Sequence, residues 1–207
     1  MRNLYDETEY RWSSKEIMEA TYTCGYCGSK ITSDEGMYLG ELNYGQNQNV
    51  FPQGVFICTN CKMPSFIYND IQVPGVNYGN SVHDIPNNVN SVYEEARKSF
   101  SVQSYTGVIL LCRKLLMHVG VDLGADENKN FVYYVNYLKD NHYVSQNSGE
   151  WIDSIRKFGN VATHQIVVNT KADAEKMIKF CEMLLKMNYE YPALMNKESG
   201  STKETNS

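Results

Sequence analysis

Four of the six cysteines in this 207-residue chain are paired as Cys-x-x-Cys, and they carry its clearest chemistry. Cys24-Gly-Tyr-Cys27 and Cys58-Thr-Asn-Cys61 each place two thiols on one tight turn, with small or polar residues between them. Two such turns supply the four thiolates of a single tetrahedral metal. Thirty residues separate Cys27 from Cys58, room for a β-hairpin between the turns. A thioredoxin-like redox pair needs one such pair inside a βαβ pattern, whereas here there are two and no such pattern surrounds either. Cys24, Cys27, Cys58 and Cys61 therefore read as ligands of one structural Zn2+. A closed four-thiolate sphere leaves no position open for substrate, so the metal holds the fold and does no catalysis. The sphere is full without His83, which reads as a surface residue. Cys112 and Cys181 sit singly in apolar helical patterns and read as core.

The second group lies in Trp151-Ile-Asp-Ser-Ile-Arg-Lys-Phe-Gly-Asn-Val-Ala-Thr-His164. At about 100° per residue, Trp151, Ile155, Phe158 and Ala162 share a narrow arc and form a core face. Arg156, Asn160 and His164 stand four apart, opposite that arc. An arginine fork, an amide and an imidazole on one polar stripe can hold a phosphate, orient it and move a proton. The outer face of any bundled helix must also be polar, so the stripe has a plain structural reading as well. Arg97-Lys98, Arg113-Lys114 and Arg156-Lys157 would form a basic groove if the fold gathered them; dispersed, they are solvated faces. Tyr133, Tyr134 and Tyr137 can stack on bases but fit a core or interface at least as well.

These groups sit on two different kinds of chain. Residues 20–86 hold all four paired cysteines, only two basic and five acidic side chains, and short β-leaning runs at Met37–Leu42, Gly54–Ile57 and Ser65–Ile71. With only Lys30 and Lys62 as cations, this piece is poorly suited to binding phosphate and better suited to docking on the helical domain or on a protein partner. Residues 87–191 carry twelve basic and twelve acidic side chains in long periodic stretches with little Gly or Pro, which predicts helices. The spacing predicts helices over 91–103, 105–119, 130–140, 149–163 and 170–191, the last stopped by Pro192. The second is apolar on most sides and belongs in the middle of a bundle; short connections predict antiparallel neighbours. Arg113 and His118 lie on that helix about 140° apart, which favours a partly buried arginine paired with Glu94 or Glu95 over a shared site.

The formal net charge of −5 excludes a generic polyanion binder. The longest apolar run, Val108–Cys112, is far short of the roughly 20 residues that span a bilayer. The N-terminus has acidic residues and no apolar core, so we expect a cytoplasmic protein with no membrane contact.

The run YEEARKSFSVQSYTGVILLCRKLLMHVG, then WIDSIRKFGNVATH, then a final amphipathic helix resembles the bacterial domain of unknown function 4145 family over about residues 90–190. A zinc-knuckle segment is a common companion in front of it. That family is grouped with the HEPN-like helical domains, many of which are dimeric metal-independent ribonucleases with an Arg-x4–6-His motif. Here seven residues separate Arg156 from His164, outside that spacing. The resemblance implies a mainly α protein: a small β zinc-ribbon-like module, then an antiparallel four- to five-helix HEPN-like bundle acting as a homodimer. The expected divisions are an N-terminal segment 1–19, the ribbon module 20–72, a linker 73–89, the bundle 90–191 and a disordered tail 192–207. The expected function is that of a binding or accessory protein in a bacterial nucleic-acid-linked or phage-defence setting. It would contact RNA, nucleotide or protein through Arg156, Asn160 and His164. The rival is a ribonuclease with His164 as acid/base, Arg156 stabilising the phosphate and Asn160 orienting it.

Overall fold

The computed structural model describes residues 3–39, 53–144, 149–158 and 168–201. The chain divides into two compact units, residues 1–77 and 78–207, each with its own apolar cluster.

The first unit is a five-stranded antiparallel meander, β1 (Lys15–Thr23), β2 (Lys30–Tyr38), β3 (Gly54–Ile57), β4 (Pro64–Tyr68) and β5 (Ile71–Val73), with a short helix α1 (Leu4–Glu7) before it. One sheet face is buried: Ala20, Tyr22, Ile31 and Phe56 pack with Cys24, Cys58 and Cys61. The other carries a row of paired residues, Met37–Val55–Phe66–Val73, across four strands. Met37, Phe66 and Val73 on that row are exposed.

Two expectations change here. β1 begins inside the stretch read as a separate N-terminal segment. Its alternation is hidden from the sequence by a bulge between Glu16 and Ala20, where β1 holds two more residues than the facing stretch of β2. The run Ser65–Ile71 is not one strand but a hairpin, because Asn69, at φ 49°, turns the chain and lets Tyr68 pair with Ile71.

The second unit contains α2 (Asn87–Ser101), α3 (Tyr105–Asp122), α4 (Phe131–Asp140), α5 (Gly149–Lys157), α6 (Lys171–Leu185), a π-helical turn (Lys186–Glu190) and α7 (Tyr191–Ser201). As its all-round apolar pattern requires, α3 is central and packs against α2, α4 and α6. Asn130 caps α4 by accepting from Tyr133 N–H at 2.9 Å. Thr170 and Asp173 form a capping box on α6. α2 starts four residues earlier than the periodicity suggests, which brings Val89 into the core at 1% exposure.

The supposed linker is in large part anchored. Arg97, buried on α2, donates to the carbonyls of Tyr78 at 3.1 Å and Gly79 at 2.9 Å, to Ser81 Oγ at 3.0 Å, and to Glu94 at 2.6 Å. From α6, Glu182 accepts from Asn80 N–H at 3.1 Å and Asn80 Nδ2 at 2.7 Å, and Tyr93 Oη donates to Asn80 O at 2.9 Å. Gly79 stands at φ +74°, where a Cβ would lie 2.7 Å from Ile178 Cγ2, so no other residue fits without movement. Residues 78–82 are therefore a strap bound into the helical unit.

The last helix does not stop at Pro192. Tyr191 N–H bonds to Lys186 O, five residues back, and this wider turn removes the regular i→i−4 ladder that a proline would break. Pro192 then occupies the first turn of α7. Helix thus continues to Ser201, into the segment expected to be a disordered tail. No helix among the described residues is long and apolar enough to cross a membrane.

Candidate functional site

The two cysteine turns have the same backbone plan. Cys24 N–H bonds to Ser29 O at 2.9 Å and Gly28 N–H to Cys24 O at 2.8 Å; Cys58 N–H bonds to Met63 O at 3.0 Å and Lys62 N–H to Cys58 O at 3.0 Å. In both turns the residue after the second cysteine is left-handed, Gly28 at φ +72° and Lys62 at φ +60°. Glycine adopts this conformation freely, whereas a side chain there costs about 1–2 kcal/mol.

The turns face each other so that each sulfur meets one from the opposite turn. Cys24 Sγ lies 3.7 Å from Cys61 Sγ and Cys27 Sγ lies 3.8 Å from Cys58 Sγ. All four sulfurs fall within 4.8 Å of one another. A disulfide would require about 2.05 Å, so these are thiols. A tetrahedron with metal–sulfur bonds of about 2.3 Å has edges of about 3.8 Å, which the two cross-turn pairs match. The cluster can hold a metal ion.

Charge points the same way. Burial pushes the Cys24 and Cys61 thiols up. Burial also pushes Cys27 up, but hydrogen bonds from the Ser29 hydroxyl and backbone and from Asn60 outweigh it and bring the thiol to about 6. Four thiolates this close repel, so the fully ionised set needs a cation, and metal binding must displace protons. Asn60 Nδ2 ties the two turns together, donating to Cys27 Sγ at 3.6 Å and Ser29 Oγ at 2.9 Å. The spacing of cysteines did not reveal this outer layer; the only local hint is the polar Asn60 inside the second turn.

Arg156, on α5, is placed differently from its expectation. Ile152 and Ile155 are the buried residues, at 1% and 0% exposure, while Trp151 packs edge-on against Phe180 with centroids 5.5 Å apart. Including Ile152 rotates the core face, so Arg156 sits on its flank rather than opposite it, about 40° from Ile152 around the helix. From there Arg156 Nε donates to Asn136 Oδ1 on α4 at 2.7 Å, and Nη1 pairs with Asp153. Asn160 and His164 lie outside the described residues, as does the predicted extension of this helix to residue 163.

The other polar candidates are also accounted for. Arg97 is consumed in the strap, so the three Arg-Lys pairs do not make a common basic groove. Arg113 does not pair with Glu94, which Arg97 takes; its guanidinium lies 5.1 Å from the centre of the Phe131 ring. His118 is exposed and lies 3.6 Å from Asp122. Tyr134 is core, while Tyr133, Tyr137 and Tyr143 form a stacked row in which Tyr137 and Tyr143 both donate to Leu123 O. His83 is exposed, and Cys112 and Cys181 are buried thiols.

The model of the family described as Domain of unknown function (DUF4145) matches residues 94–204. The chain belongs to this family. The DUF4145 match covers α2 from Glu94 onward and the helices after it, and so includes Arg97, Arg156 and Glu182, whereas the four cysteines precede it. No curated protein and no solved structure matches this DUF4145 member.

Proposed function

We propose that this protein is a zinc-stabilised binding or accessory protein: a zinc-ribbon-like module carrying a closed structural Zn2+, followed by a HEPN-like helical domain that contacts a partner. The observation that carries the reading is the crossed pair of sulfur separations, 3.7 and 3.8 Å, in a set made only of thiols. Zinc suits four thiolates in a tetrahedron, and such a site supplies folding energy and no reaction centre. Arg156 supports binding over catalysis, since its guanidinium already has carboxylate and amide partners. The apolar row with Met37, Phe66 and Val73 exposed supports contact with protein, because such patches mark interaction sites.

The partner in this reading is RNA, nucleotide or protein, contacted by Arg156 of α5, with Asn160 and His164 as the further contact residues proposed from the sequence. The homodimer and the bacterial nucleic-acid-linked or phage-defence setting follow from the family resemblance. The test is metal content of purified protein, with RNA cleavage assayed in EDTA for wild type, Arg156→Ala and His164→Ala. One zinc per chain and no cleavage by folded protein is the expected result. Cleavage by wild type that both substitutions abolish would replace the reading with a metal-independent ribonuclease.

A further inference from the structure

The second cysteine turn is gripped from outside by residues 3–12. Three consecutive carbonyls, those of Asn60, Cys61 and Lys62, each accept one hydrogen bond from this arm. The donors are Asn3 Nδ2 at 2.7 Å, Leu4 N–H at 2.9 Å and Trp12 Nε1 at 2.6 Å, in the same order. Tyr5 fills the space between: Lys62 Nζ lies 5.7 Å and the Arg11 guanidinium 4.5 Å from its ring centre, and its hydroxyl accepts from Trp12 N–H at 3.3 Å. α1 holds these donors in place, capped by Asn3 at one end and closed by Thr8 N–H on Leu4 O at the other.

The grip falls on one turn for a physical reason. The first turn uses glycine at its left-handed position, while the second uses Lys62, which reaches φ +60° only against its own side chain. Trp12 bonds the carbonyl of that same residue. The arm thus supports the strained turn, whereas the relaxed turn has Pro74 O packed so close to Gly25 that a Cβ would be 2.3 Å away.

We propose that residues 3–12 are a latch on the metal site, setting how fast the ion leaves, with Asn3, Leu4 and Trp12 as positioning residues that act through the Asn60–Lys62 backbone. The proposal rests on the zinc reading above. Metal loss requires a thiolate to swing away, and Cys61 cannot do so until its turn opens. With the arm docked, opening breaks three further hydrogen bonds. Outer groups that orient ligands change metal affinity about 10- to 100-fold when removed, and the latch should act on this scale.

The test is zinc transfer from the loaded full-length chain to excess EDTA, read with a zinc-sensitive dye, with circular dichroism of each loaded variant as the fold control. Trp12→Phe keeps the ring and deletes the donor, and Asn3→Ala removes the first contact; each should speed release about tenfold with an unchanged dichroism spectrum. In a Lys62→Gly background the Trp12→Phe effect should shrink to about threefold or less, since glycine needs no support there. Release within about twofold of wild type for both single variants, with zinc loaded, overturns the latch. Equal Trp12→Phe effects with and without Lys62→Gly overturn its link to strain. Wild-type protein that neither contains nor takes up zinc refutes the metal reading itself, which is a distinct result.

Discussion

Glu182→Gln tests the strap most directly. The Glu182 carboxylate is only 8% exposed and receives Asn80 N–H, Asn80 Nδ2 and the ammonium groups of Lys186 at 2.9 Å and Lys179 at 3.4 Å. Burial alone would raise its pKa, but the hydrogen bonds from Lys186 and Asn80 outweigh it and hold the group at about 2, against 4.5 for a free glutamate. That difference corresponds to an upper bound of about 3 kcal/mol of stability from the ionised form. Because the folded-state value lies below the unfolded one, this contribution is complete above about pH 5 and drains away as the pH falls through 4.5 towards 2. Glutamine keeps the shape and one of the two oxygens that accept from Asn80, and removes the charge facing two lysines. We expect a loss of about 2–3 kcal/mol at pH 7, shrinking steadily below pH 5 until wild type and variant converge near pH 2. Urea unfolding followed at 222 nm, which reports the helices, at several pH values measures both. A gap at pH 7 under about 0.5 kcal/mol, or one that stays constant down to pH 3, would refute the reasoning.

Three other outcomes follow from the geometry. Gly79→Ala should destabilise the helical unit by about 2–4 kcal/mol, from the left-handed backbone and the contact with Ile178, measured by the same urea titration. Thr170→Val removes the cap on α6 and should cost about 1 kcal/mol, seen as a thermal midpoint lower by roughly 2–4 °C. Stripping the metal with EDTA should unfold the sheet unit, reported by Trp12 fluorescence, while the 222 nm helical signal persists, since the two apolar clusters share no residue.

How much of this was legible depended on how local the determining contact is. The four cysteines were readable because ligand spacing on a tight turn is set within four residues. Helix identities were readable from period, as with the central α3. The α5 face was misassigned because Ile152 was left out of the arc, and one buried isoleucine moved Arg156 from the outer face to a flank. The strap was read as linker because Gly, Asn and Ser signal a turn without saying whether anything holds it; Arg97 and Glu182, 18 and 102 residues away in the tightest cases, do the holding. The arm was invisible for the same reason: Asn3 and Trp12 reach carbonyls 57 and 50 residues further on. Glu182 did carry a clue, an acid bracketed by Lys179 and Lys186 within an otherwise apolar stripe.

The π turn at Lys186–Glu190 holds one residue more than an α-helical turn, and that surplus sets the phase of everything after it. Deleting a single residue there would restore an ordinary helix and rotate α7 by about 100°. Lys197, now 2.7 Å from Asp84, would swing away from it, and Tyr191, Leu194 and Met195 would face a new direction. The same deletion would carry Pro192 into an unbroken helix interior, at a cost of about 3 kcal/mol. Proline and surplus residue therefore tolerate each other, and a change to either alone should be harder to accommodate than a change to both.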